Sequence, residues 1–465
     1  MSTPVLFWFR RDLRLADNPA LTVAVERAGA APVFAVYVFD EALLAPAGPT
    51  RVAYLTATLD ELAARVPLTM RVGRPATALL ELAREAGARH VVATGDHGPY
   101  GAQRDQAVVD ELAREGVTLE FVDSNYVVAP GTVRSKTGEP FKVFTAFRRG
   151  WELNPAADPL PAPTGRFDAL SGVSSDVARS LAGTRRPTYF GDRVAPTPPL
   201  PPVGEAAAAR TLTAFVSHVD RYAEERNEPS LEGTSRLSPY LRFGVIHPRQ
   251  VLHATRGLSD GRRTFESEIA WREFYADVLW HHPASVREVL QPVMNNLRVD
   301  RDERAVERFH AWAWGETGYP LVDAGMRQLL TTGWMHNRVR MVAASFLVKH
   351  LHLDWRWGAR WFMWHLVDGD VASNQHGWQW AAGTGTDAAP YHRVFNPTLQ
   401  AERFDATGAY VQRYVPELAS TPAPACLQPG GGEGLLRPAE YPAPLVDAAT
   451  ERNEALARFA EARGK

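Results

Sequence analysis

Residues 5–39 read VLFWFRRDLRLADNPALTVAVERAGAAPVFAVYVF, and this stretch decides the class of fold. Two apolar runs within it, Val5–Phe9 and Val33–Phe39, have the length and the aromatic and β-branched content of buried strands. Between them, Asp17–Ala28 has helical periodicity. A strand, a helix and a second strand in this order are typical of a parallel sheet.

The same alternation continues to about residue 130. Short apolar runs follow at Val91–Thr94 and Leu119–Val122, and helical stretches occur at Arg51–Arg65, Ala76–Ala86 and Gln103–Arg114. We therefore expect an α/β domain, a parallel sheet with helices on both faces, over residues 1–130. No G-x-G-x-x-G motif follows the first strand, so this domain is not expected to hold a dinucleotide in the manner of that motif.

The rest of the chain changes character twice. Residues 131–204 are rich in proline, glycine and serine, which predicts a long connector between domains. From residue 205 onward the pattern is helical, with few β-branched runs. We therefore expect a larger, all-helical C-terminal domain over residues 205–465.

Composition excludes several classes of protein. Apolar residues make up 45% and charged residues 22% of the chain, as in folded soluble proteins, and no run approaches the roughly 20 apolar residues that cross a bilayer. Cys426 is the only cysteine, and no Cys and His spacing resembles a zinc site, so we expect no disulfide, no metal and a cytoplasmic location. The net charge of −2 means that any DNA site must be a local cluster of arginines.

The first segment with chemical content is EGTSRLSPYLRFG, residues 232–244. Ser238 before Pro239 predicts an N-cap followed by proline at the first helical position. Thr234, Ser235 and Arg236 add hydroxyls and a cation, which suits a phosphate at a helix start. Simple capping of the helix is the alternative.

The second segment is EIAWREFY, residues 268–275. Glu268, Trp271, Arg272 and Tyr275 have helical spacing, so one helical face carries an acid, two aromatic rings and a guanidinium. This face would suit a planar polar ligand. A salt-bridged surface stripe packed by Trp271 is the alternative.

Two further segments are less specific on spacing alone. In GWMHNRVRM, residues 333–341, Asn337, Arg340 and Met341 share a helical face and Arg338 points elsewhere. Residues 368–397 begin with DGD and contain too many glycines and small polar residues for a regular helix. Their paired carboxylates lack a histidine with metal-like spacing, so we expect them to bind nucleotide hydroxyl and amino groups.

In series, these segments resemble the photolyase and cryptochrome family, in particular its class I cyclobutane pyrimidine dimer photolyases. The resemblance covers nearly the whole chain. It implies an antenna-binding α/β domain and a helical domain that binds flavin adenine dinucleotide (FAD) beneath a cavity open to DNA. The matching motifs are FWFRRDLRLADNPAL at 7–21, TSRLSP at 234–239, WREFY at 271–275, TGYPLVDAGMRQL at 317–329, GWMHNRVRM at 333–341, DGD and NQHGWQWAAGTGTDAAP within 368–390, and YPAP at 441–444.

The resemblance implies a light-driven carbon–carbon lyase. Excited, reduced FAD would pass an electron to a pyrimidine dimer flipped out of UV-damaged DNA, and the dimer would split. The flavin-binding residues would then be Tyr222, Thr234, Ser235, Arg236, Leu237, Ser238, Phe265, Arg272, Asn337, Arg340, Asp368 and Asp370, with Asn374 facing flavin N5.

The resemblance also assigns the lesion and the DNA backbone. Glu268, Trp271, Trp380 and Met341 match the family residues that enclose the flipped dimer, and Glu268 is expected to hydrogen-bond the dimer carbonyls. With Asn374, these are the expected catalytic residues. The expected DNA contacts are Arg226, Arg338, Arg393 and Gln400, together with Glu268, Trp271 and Asn337.

One element of the family pattern is missing. Members usually reduce the resting flavin through three tryptophans that lead to the surface, and Trp378 and Trp355 match the first two. The third position holds Asp302. Either another aromatic residue such as Trp314 replaces it, or light-driven flavin reduction is impaired, whereas dimer splitting should not depend on it.

The antenna chromophore is expected to be 8-hydroxy-5-deazaflavin. Arg51, Asp96 and Arg242 resemble the residues of that type, although one of its acidic positions is Gly98 here. Gly101 stands where the folate type carries glutamate, which counts against methenyltetrahydrofolate. Folate and an empty pocket remain the alternatives.

The sequence argues against three other functions. A blue-light photoreceptor of the cryptochrome type is disfavoured by Asn374, Glu268, Trp271 and Trp380. A (6-4) photoproduct photolyase would carry histidines in the lesion pocket, and a flavin oxidoreductase would need a substrate or nicotinamide motif that the sequence lacks. We expect UV-damaged DNA as the partner, no membrane, no obligate protein partner and a monomer.

Overall fold

The structure is a computed structural model that describes residues 2–386, 393–429 and 437–464. Residues 387–392, which belong to the segment beginning at Asp368, lie outside the described residues. The strands are β1 Val5–Phe9, β2 Val33–Phe39, β3 Leu68–Val72, β4 His90–Gly95 and β5 Thr118–Ser124.

The helices of the first half of the chain alternate with these strands or follow the last of them. Several begin with proline, whose fixed φ suits the first helical position and whose missing N–H would have no partner there. They are α1 Pro19–Ala28, α2 Glu41–Leu44, α3 Pro49–Ala63, α4 Pro75–Ala86, α5 Pro99–Arg114, α6 Phe144–Trp151, α7 Val177–Leu181 and α8 Glu205–Val216.

The second half of the described chain is helical, as the sequence predicted. Its helices are α9 Tyr222–Glu225, α10 Ser238–Phe243, α11 Pro248–Thr255, α12 Asp260–His281, α13 Glu303–Ala313, α14 Pro320–Thr332, α15 Asn337–Lys349, α16 Trp355–His365, α17 Val371–Ala382, α18 Pro397–Phe404, α19 Ala409–Tyr414 and α20 Ala448–Ala462.

The five strands form one parallel sheet in the order β3-β2-β1-β4-β5. The chain starts in the middle of the sheet, proceeds to one edge, and returns to build the other side. Because strand–helix–strand crossovers are right-handed, helices before and after this reversal cover opposite faces. Strand β1 is completely buried. The predicted α/β class is confirmed.

Strand β3 was missed by the sequence analysis. Leu68–Val72 reads LTMRV, a short run that contains a polar and a charged residue. It forms the edge of the sheet and pairs only with β2 among the described strands, and three of its five residues remain partly accessible. An edge strand of this kind lacks the continuous apolar run by which the buried strands were recognised.

The contacts between residues group the chain into two compact units that interleave along the sequence. The first unit comprises residues 1–186, 201–220 and 235–283, and the second comprises residues 187–200, 221–234 and 284–465. The limits predicted at 130 and 204 remain a prediction about domains, because contact units and domains need not coincide.

In the first unit, two carboxylates on α12 bind backbone amides after β5. Glu273 accepts hydrogen bonds from the N–H groups of Val127 at 2.5 Å and Val128 at 3.1 Å, and from the Trp151 indole at 2.6 Å. Asp277, one turn later, accepts one from the Gly131 N–H at 2.7 Å. These bonds give acceptors to backbone N–H groups that have no sheet partner and fix helix α12 against residues 127–131.

The second unit has its core between α13 and α19, with a buried carboxylate at its centre. Asp323 on α14 accepts hydrogen bonds from the Thr317 N–H at 2.8 Å, the Gly318 N–H at 3.0 Å and the Tyr441 hydroxyl at 2.6 Å. The TGYP and YPAP motifs are therefore joined through one side chain, although they are more than 100 residues apart in sequence.

The expectation that residues after Asp368 form no regular helix was wrong. Val371–Ala382 is a continuous helix, α17, which ends at Gly383. Asp370 caps it by accepting a hydrogen bond from the Ser373 N–H at 3.0 Å. The cap and the packing of α17 against α15 and α16 override the weak helical propensity of its small polar residues.

The pKa of Glu273 gives a prediction about stability. Burial raises the pKa of Glu273 to about 7 from an ordinary value of 4.5, although the amides it binds oppose this. The folded state therefore holds a proton that the unfolded state loses between those values. Glu273 contributes stability that is fully present below pH 4.5 and is lost, by up to about 3 kcal/mol, as the pH rises towards 7.

This contribution is measured as the change in the free energy of urea unfolding with pH. We expect Glu273→Gln to flatten the decline between pH 4.5 and 7, because the amide does not titrate. The exposed Glu139→Gln serves as the matched control and should keep the wild-type slope. Equal slopes in the wild type and Glu273→Gln would contradict the assignment.

Candidate flavin and DNA site

Helix α12 carries the predicted aromatic and charged face in the first unit. Trp271 stacks flat on Phe144 of α6, with ring centroids 3.7 Å apart and planes within 10°. Tyr275 and Phe274 pack against its edges at 5.3 and 5.6 Å. The Trp271 indole is therefore held in one plane by its neighbours. Phe144 was not predicted as a residue of the site, because its local sequence pattern does not show a contact with a residue 127 positions away.

Arg272 lies beside Trp271 and is only partly satisfied. Its Nη1 donates to the carbonyl of Asn125 at 3.0 Å, and its guanidinium lies 4.4 Å from the centre of the Tyr126 ring. Its Nη2 is buried and has no hydrogen-bond partner among the described residues. A buried donor of this kind fits an acceptor on a ligand.

The predicted phosphate-binding segment has a strained turn. Arg236 adopts φ of +53°, a conformation that non-glycine residues rarely take, and the Ser235 hydroxyl accepts a hydrogen bond from the Leu237 N–H at 3.3 Å. Helix α10 begins at Ser238 itself, with Leu237 in the capping position. The interpretation of Ser238 as the N-cap was therefore wrong by one residue. Phe265, on α12, is buried.

The second unit places Arg340 and Asp368 together. Arg340 Nη2 donates to Asp368 Oδ2 at 2.8 Å, and its Nε donates to the carbonyl of Met335 at 2.8 Å. Asp368 Oδ1 is buried and has no hydrogen-bond partner in residues 2–386, 393–429 or 437–464. The pair therefore offers one buried acceptor oxygen to a ligand.

Asn374 lies on α17, the helix that Asp370 caps. Its amide nitrogen donates to the carbonyl of Ala359 on α16 at 3.1 Å and to Gln375 Oε1 at 2.8 Å. Both bonds use the amide nitrogen, which fixes the orientation of the side chain. Trp380 is half-buried and packs against the core of the second unit.

Trp378 is buried against a glycine of the neighbouring helix. A Cβ atom on Gly358 would lie 2.0 Å from Trp378 Cη2, so the indole uses the space that a side chain would fill. Trp355, at the start of the same helix α16, is buried too. The indole nitrogens of both tryptophans have no hydrogen-bond partner among the described residues.

The expected DNA contacts of the second unit are partly engaged within the protein. Arg338 donates to Asn227 Oδ1 at 2.6 Å and covers the Phe404 ring at 4.5 Å, and Arg226 covers the Tyr222 ring at 5.5 Å. Arg393 and Asn337, which begins α15, are exposed. Gln400 on α18 and Met341 on α15 are partly buried. Thr234 is partly buried. Asn227 and Phe404 were not predicted as orienting partners.

Asp96, one of the three predicted antenna residues, belongs to a buried ion network of the first unit. Asp96, just after β4, pairs with Arg104 at 3.1 Å, and Arg10, just after β1, pairs with Asp105 at 2.7 Å. Burial opposes the charged form of Asp96, but Arg104 and Arg10 outweigh it and lower its pKa. Strand order reverses between β1 and β4, which is where parallel α/β sheets bind ligands.

A cavity of about 560 Å³ adjoins this network. Asp40, Arg74, Tyr100, Arg104 and Arg185 contribute to its wall. Its size suits a small organic molecule. Arg51 is buried, which lowers its pKa to about 10, and Arg242 is partly buried.

Metal sites and membrane-spanning helices are two further features that bear on function. Residues 2–386, 393–429 and 437–464 contain no cluster of three or more His, Cys, Asp or Glu side chains arranged to hold a metal ion. None of the described helices combines the length and hydropathy required to cross a membrane.

Comparison with known proteins agrees with this geometry. Residues 5–164 match the family described as DNA photolyase, and residues 265–461 match the FAD binding domain of DNA photolyase. A Halobacterium salinarum protein named deoxyribodipyrimidine photo-lyase is 40% identical over 99% of both chains.

Two solved structures share the fold over nearly the whole chain. A bacterial class III photolyase from Agrobacterium tumefaciens has a TM-score of 0.87 and 36% identity, covering 100% of this chain and 98% of its own. An archaeal photolyase from Sulfolobus tokodaii, solved with two FAD molecules, has a TM-score of 0.84 and 27% identity over 99% and 100% of the two chains.

The fold and the matched domains define a flavoprotein with an α/β unit and a helical FAD-binding region. The buried polar atoms of Arg272 and Asp368 fit such a cofactor, since each has a hydrogen-bonding capacity that the described residues do not use. The chain belongs to the photolyase and cryptochrome family.

The contact between Gly358 and Trp378 gives a stability prediction. We expect Gly358→Ala to lower the free energy of unfolding by about 2 kcal/mol, because the added methyl group must displace a buried indole. Thermal unfolding of the flavin-free protein measures the loss.

Gly377→Ala on helix α17 is the matched control. Its Cβ would meet nothing within 4 Å, so the exchange should stabilise the helix by up to about 1 kcal/mol. A Gly358→Ala protein as stable as this control would show that Trp378 does not pack as described.

Proposed function

We propose that this protein repairs cyclobutane pyrimidine dimers in DNA under blue light. The observation that carries the proposal is the face of α12, where Trp271 is locked flat by Phe144 between Glu268 and Arg272 in sequence. An acid, an aromatic surface and a partly buried cation on one helix suit a pyrimidine dimer, with its apolar surfaces and carbonyl groups, beside a flavin. A relative 40% identical over 99% of the chain, named deoxyribodipyrimidine photo-lyase, supports the same activity.

FAD, when bound, supplies the light-excited electron donor. Two buried atoms support its proposed pocket: Nη2 of Arg272 would donate to it, and Oδ1 of Asp368 would accept from it. The strained turn at Arg236 would present backbone N–H groups to its phosphates. The proposed pocket is completed by Tyr222, Thr234, Ser235, Leu237, Ser238, Phe265, Asn337, Arg340, Asp370 and Asn374.

The dimer would leave the duplex to reach this cofactor. A flipped lesion needs apolar walls and a few hydrogen-bonding groups, and we assign the walls to Trp271, Trp380 and Met341. Glu268 would hydrogen-bond the dimer carbonyls and stabilise the negative charge that the dimer gains. No residue needs to act as a nucleophile, because the electron returns after the ring opens.

Phosphate contacts would position the strand without reading its sequence. Arg226, Arg338, Arg393 and Gln400 are the proposed contacts. Arg338 is braced by Asn227 and Phe404, so its guanidinium loses little freedom on binding. Since the chain has a net charge of −2, this local set of cations would account for DNA affinity.

For the antenna we infer 8-hydroxy-5-deazaflavin, bound in the first unit. The supporting features are the cavity of about 560 Å³, the position of Asp96 after β4 and the pairing of Asp96 with Arg104 on its wall. Arg51 and Arg242 do not line this cavity and stay predicted antenna contacts. A monomer in the cytoplasm, with no obligate protein partner, also stays a prediction.

The repair assay tests the activity. Protein with chemically reduced FAD should split thymine dimers in an oligonucleotide under blue light and not in the dark. Glu268→Ala should slow repair by about tenfold or more, because the charge on the dimer loses its hydrogen bond.

The control variant is Glu266→Ala, which removes a partly buried carboxylate from the same helix. It should repair at the wild-type rate. Bound, reduced FAD without light-dependent dimer loss in the wild type would overturn the proposed function.

The antenna is tested by retention of added chromophore. We expect 8-hydroxy-5-deazaflavin to remain bound through gel filtration, and Ala107→Trp to weaken its binding about tenfold or more by filling the cavity wall. Ala102→Trp, exposed on the same helix α5, should bind as the wild type does. Retention of methenyltetrahydrofolate in place of the deazaflavin would contradict the assignment.

A further inference from the structure

The position of the missing third tryptophan has a different use in this chain. Asp302 caps helix α13, where its Oδ1 accepts a hydrogen bond from the Ala305 N–H at 2.9 Å. The Asp302 side chain therefore stabilises the start of α13. A carboxylate cannot relay an electron as an indole ring does. If light-driven reduction of the flavin occurs, the electron must enter through other aromatic residues.

Two aromatic rings contact Trp378, and one of them, Trp312, lies on α13. Trp378 lies 5.9 Å from Trp312, measured between ring centroids, and 5.0 Å from Phe362. Trp312 is fully buried, and its indole nitrogen donates to the carbonyl of Ala343 at 3.0 Å. This bond fixes the Trp312 ring beside Trp378.

From Trp312 the series continues one helical turn earlier on the same helix. Phe309 lies 5.9 Å from Trp312 and 5.7 Å from Trp357. A phenylalanine is too difficult to oxidise to hold the charge, so it bridges two tryptophans that can. Phe309 is fully buried, which keeps water out of this part of the path.

The series ends at a stacked pair on the surface. Trp357 lies 4.9 Å from Tyr189, with ring planes within 23°, and both residues are partly accessible. The Tyr189 carbonyl lies 2.9 Å from His310 Nε2, which holds this segment against α13. A stacked, partly exposed pair can share a positive charge and can meet a reductant in solution.

Two other tryptophans are less suited as exits, because both are buried and cannot meet a reductant in solution. Trp314, the replacement considered from the sequence, is buried and has the Arg193 guanidinium 4.1 Å above its ring. Trp355 is buried with the Arg356 guanidinium 5.2 Å from its ring. A nearby cation opposes a positive charge on an indole. Arg360 also lies near Tyr189, so accessibility to a reductant, and not charge, distinguishes the Trp357–Tyr189 pair from Trp314 and Trp355.

We propose that Trp378, Trp312, Phe309 and the Trp357–Tyr189 pair form the electron path by which light reduces the flavin in this protein. One electron moves inward to the flavin for each electron lost by the Trp357–Tyr189 pair, and the two stacked rings share the positive charge. A thiol then returns an electron to the pair and releases its proton to solvent, and two thiols oxidised in this way form a disulfide. This inference rests on the proposed flavin site beside Trp378.

The test follows reduction of bound, oxidised FAD under blue light by its absorbance, with dithiothreitol as the thiol. Trp312→Phe and Trp357→Phe should each slow the reduction by about tenfold or more, because a relay is removed. Trp364→Phe, the same exchange on helix α16 away from the path, should reduce at the wild-type rate. Tyr189→Phe should slow the reduction as well, because phenylalanine cannot share the positive charge with Trp357.

Two measurements separate the possible failures. Bound FAD and dimer repair after chemical reduction should stay at wild-type levels in Trp312→Phe and Trp357→Phe, so loss of flavin from either variant would show a structural role and overturn the path. Wild-type photoreduction in Trp357→Phe, together with slow photoreduction in Trp355→Phe, would place the path through Trp355.

Photoreduction and repair by the wild-type protein test the electron path and the proposed function separately. No photoreduction of the wild type, with normal repair after chemical reduction, would overturn the electron path and leave the proposed function intact. No repair after chemical reduction would overturn the proposed function itself.

Discussion

The binding of backbone amides by Glu273 and Asp277 is the interaction on which the first unit depends. These carboxylates attach α12 to the chain that leaves β5, and α12 carries Glu268, Trp271 and Arg272. The helix must bury two acids because the chain after β5 has left the sheet and its N–H groups need acceptors. One helix therefore serves the architecture through one set of residues and the site through another.

In the second unit, aromatic residues both pack the core and form a continuous series of ring contacts. Trp312, Phe309 and Trp357 pack its core, and the same ring contacts connect Trp378 to the surface. Dense aromatic packing excludes water and holds rings in fixed planes. Both properties favour stability, and both also favour electron transfer between neighbouring indoles. A core of aliphatic residues would supply only the first.

Buried charges in this protein occur in small groups of opposite sign. The Arg10, Asp96, Arg104 and Asp105 network lies where the strand order reverses, and the Arg340–Asp368 pair lies in the helical region. Each set is nearly neutral within itself, which agrees with a net charge of only −2. Burying charges costs solvation, and mutual pairing offsets most of that cost. Among the described residues, Nη2 of Arg272 and Oδ1 of Asp368 are buried without a hydrogen-bond partner, and the proposed flavin pocket would use both atoms.

The sequence by itself determined the α/β class, four of the five strands, the helical second half and the family. Apolar runs and helical periodicity are local, and the motifs are long enough to be specific. It missed β3, whose edge position requires no continuous apolar run, and helix α17, whose stability comes from the Asp370 cap and from neighbouring helices. The tertiary structure alone decided that Phe144 stacks on Trp271, that Gly358 makes room for Trp378 and that Asp302 caps α13. Such contacts join residues far apart in the chain or depend on backbone geometry, and no local pattern records either.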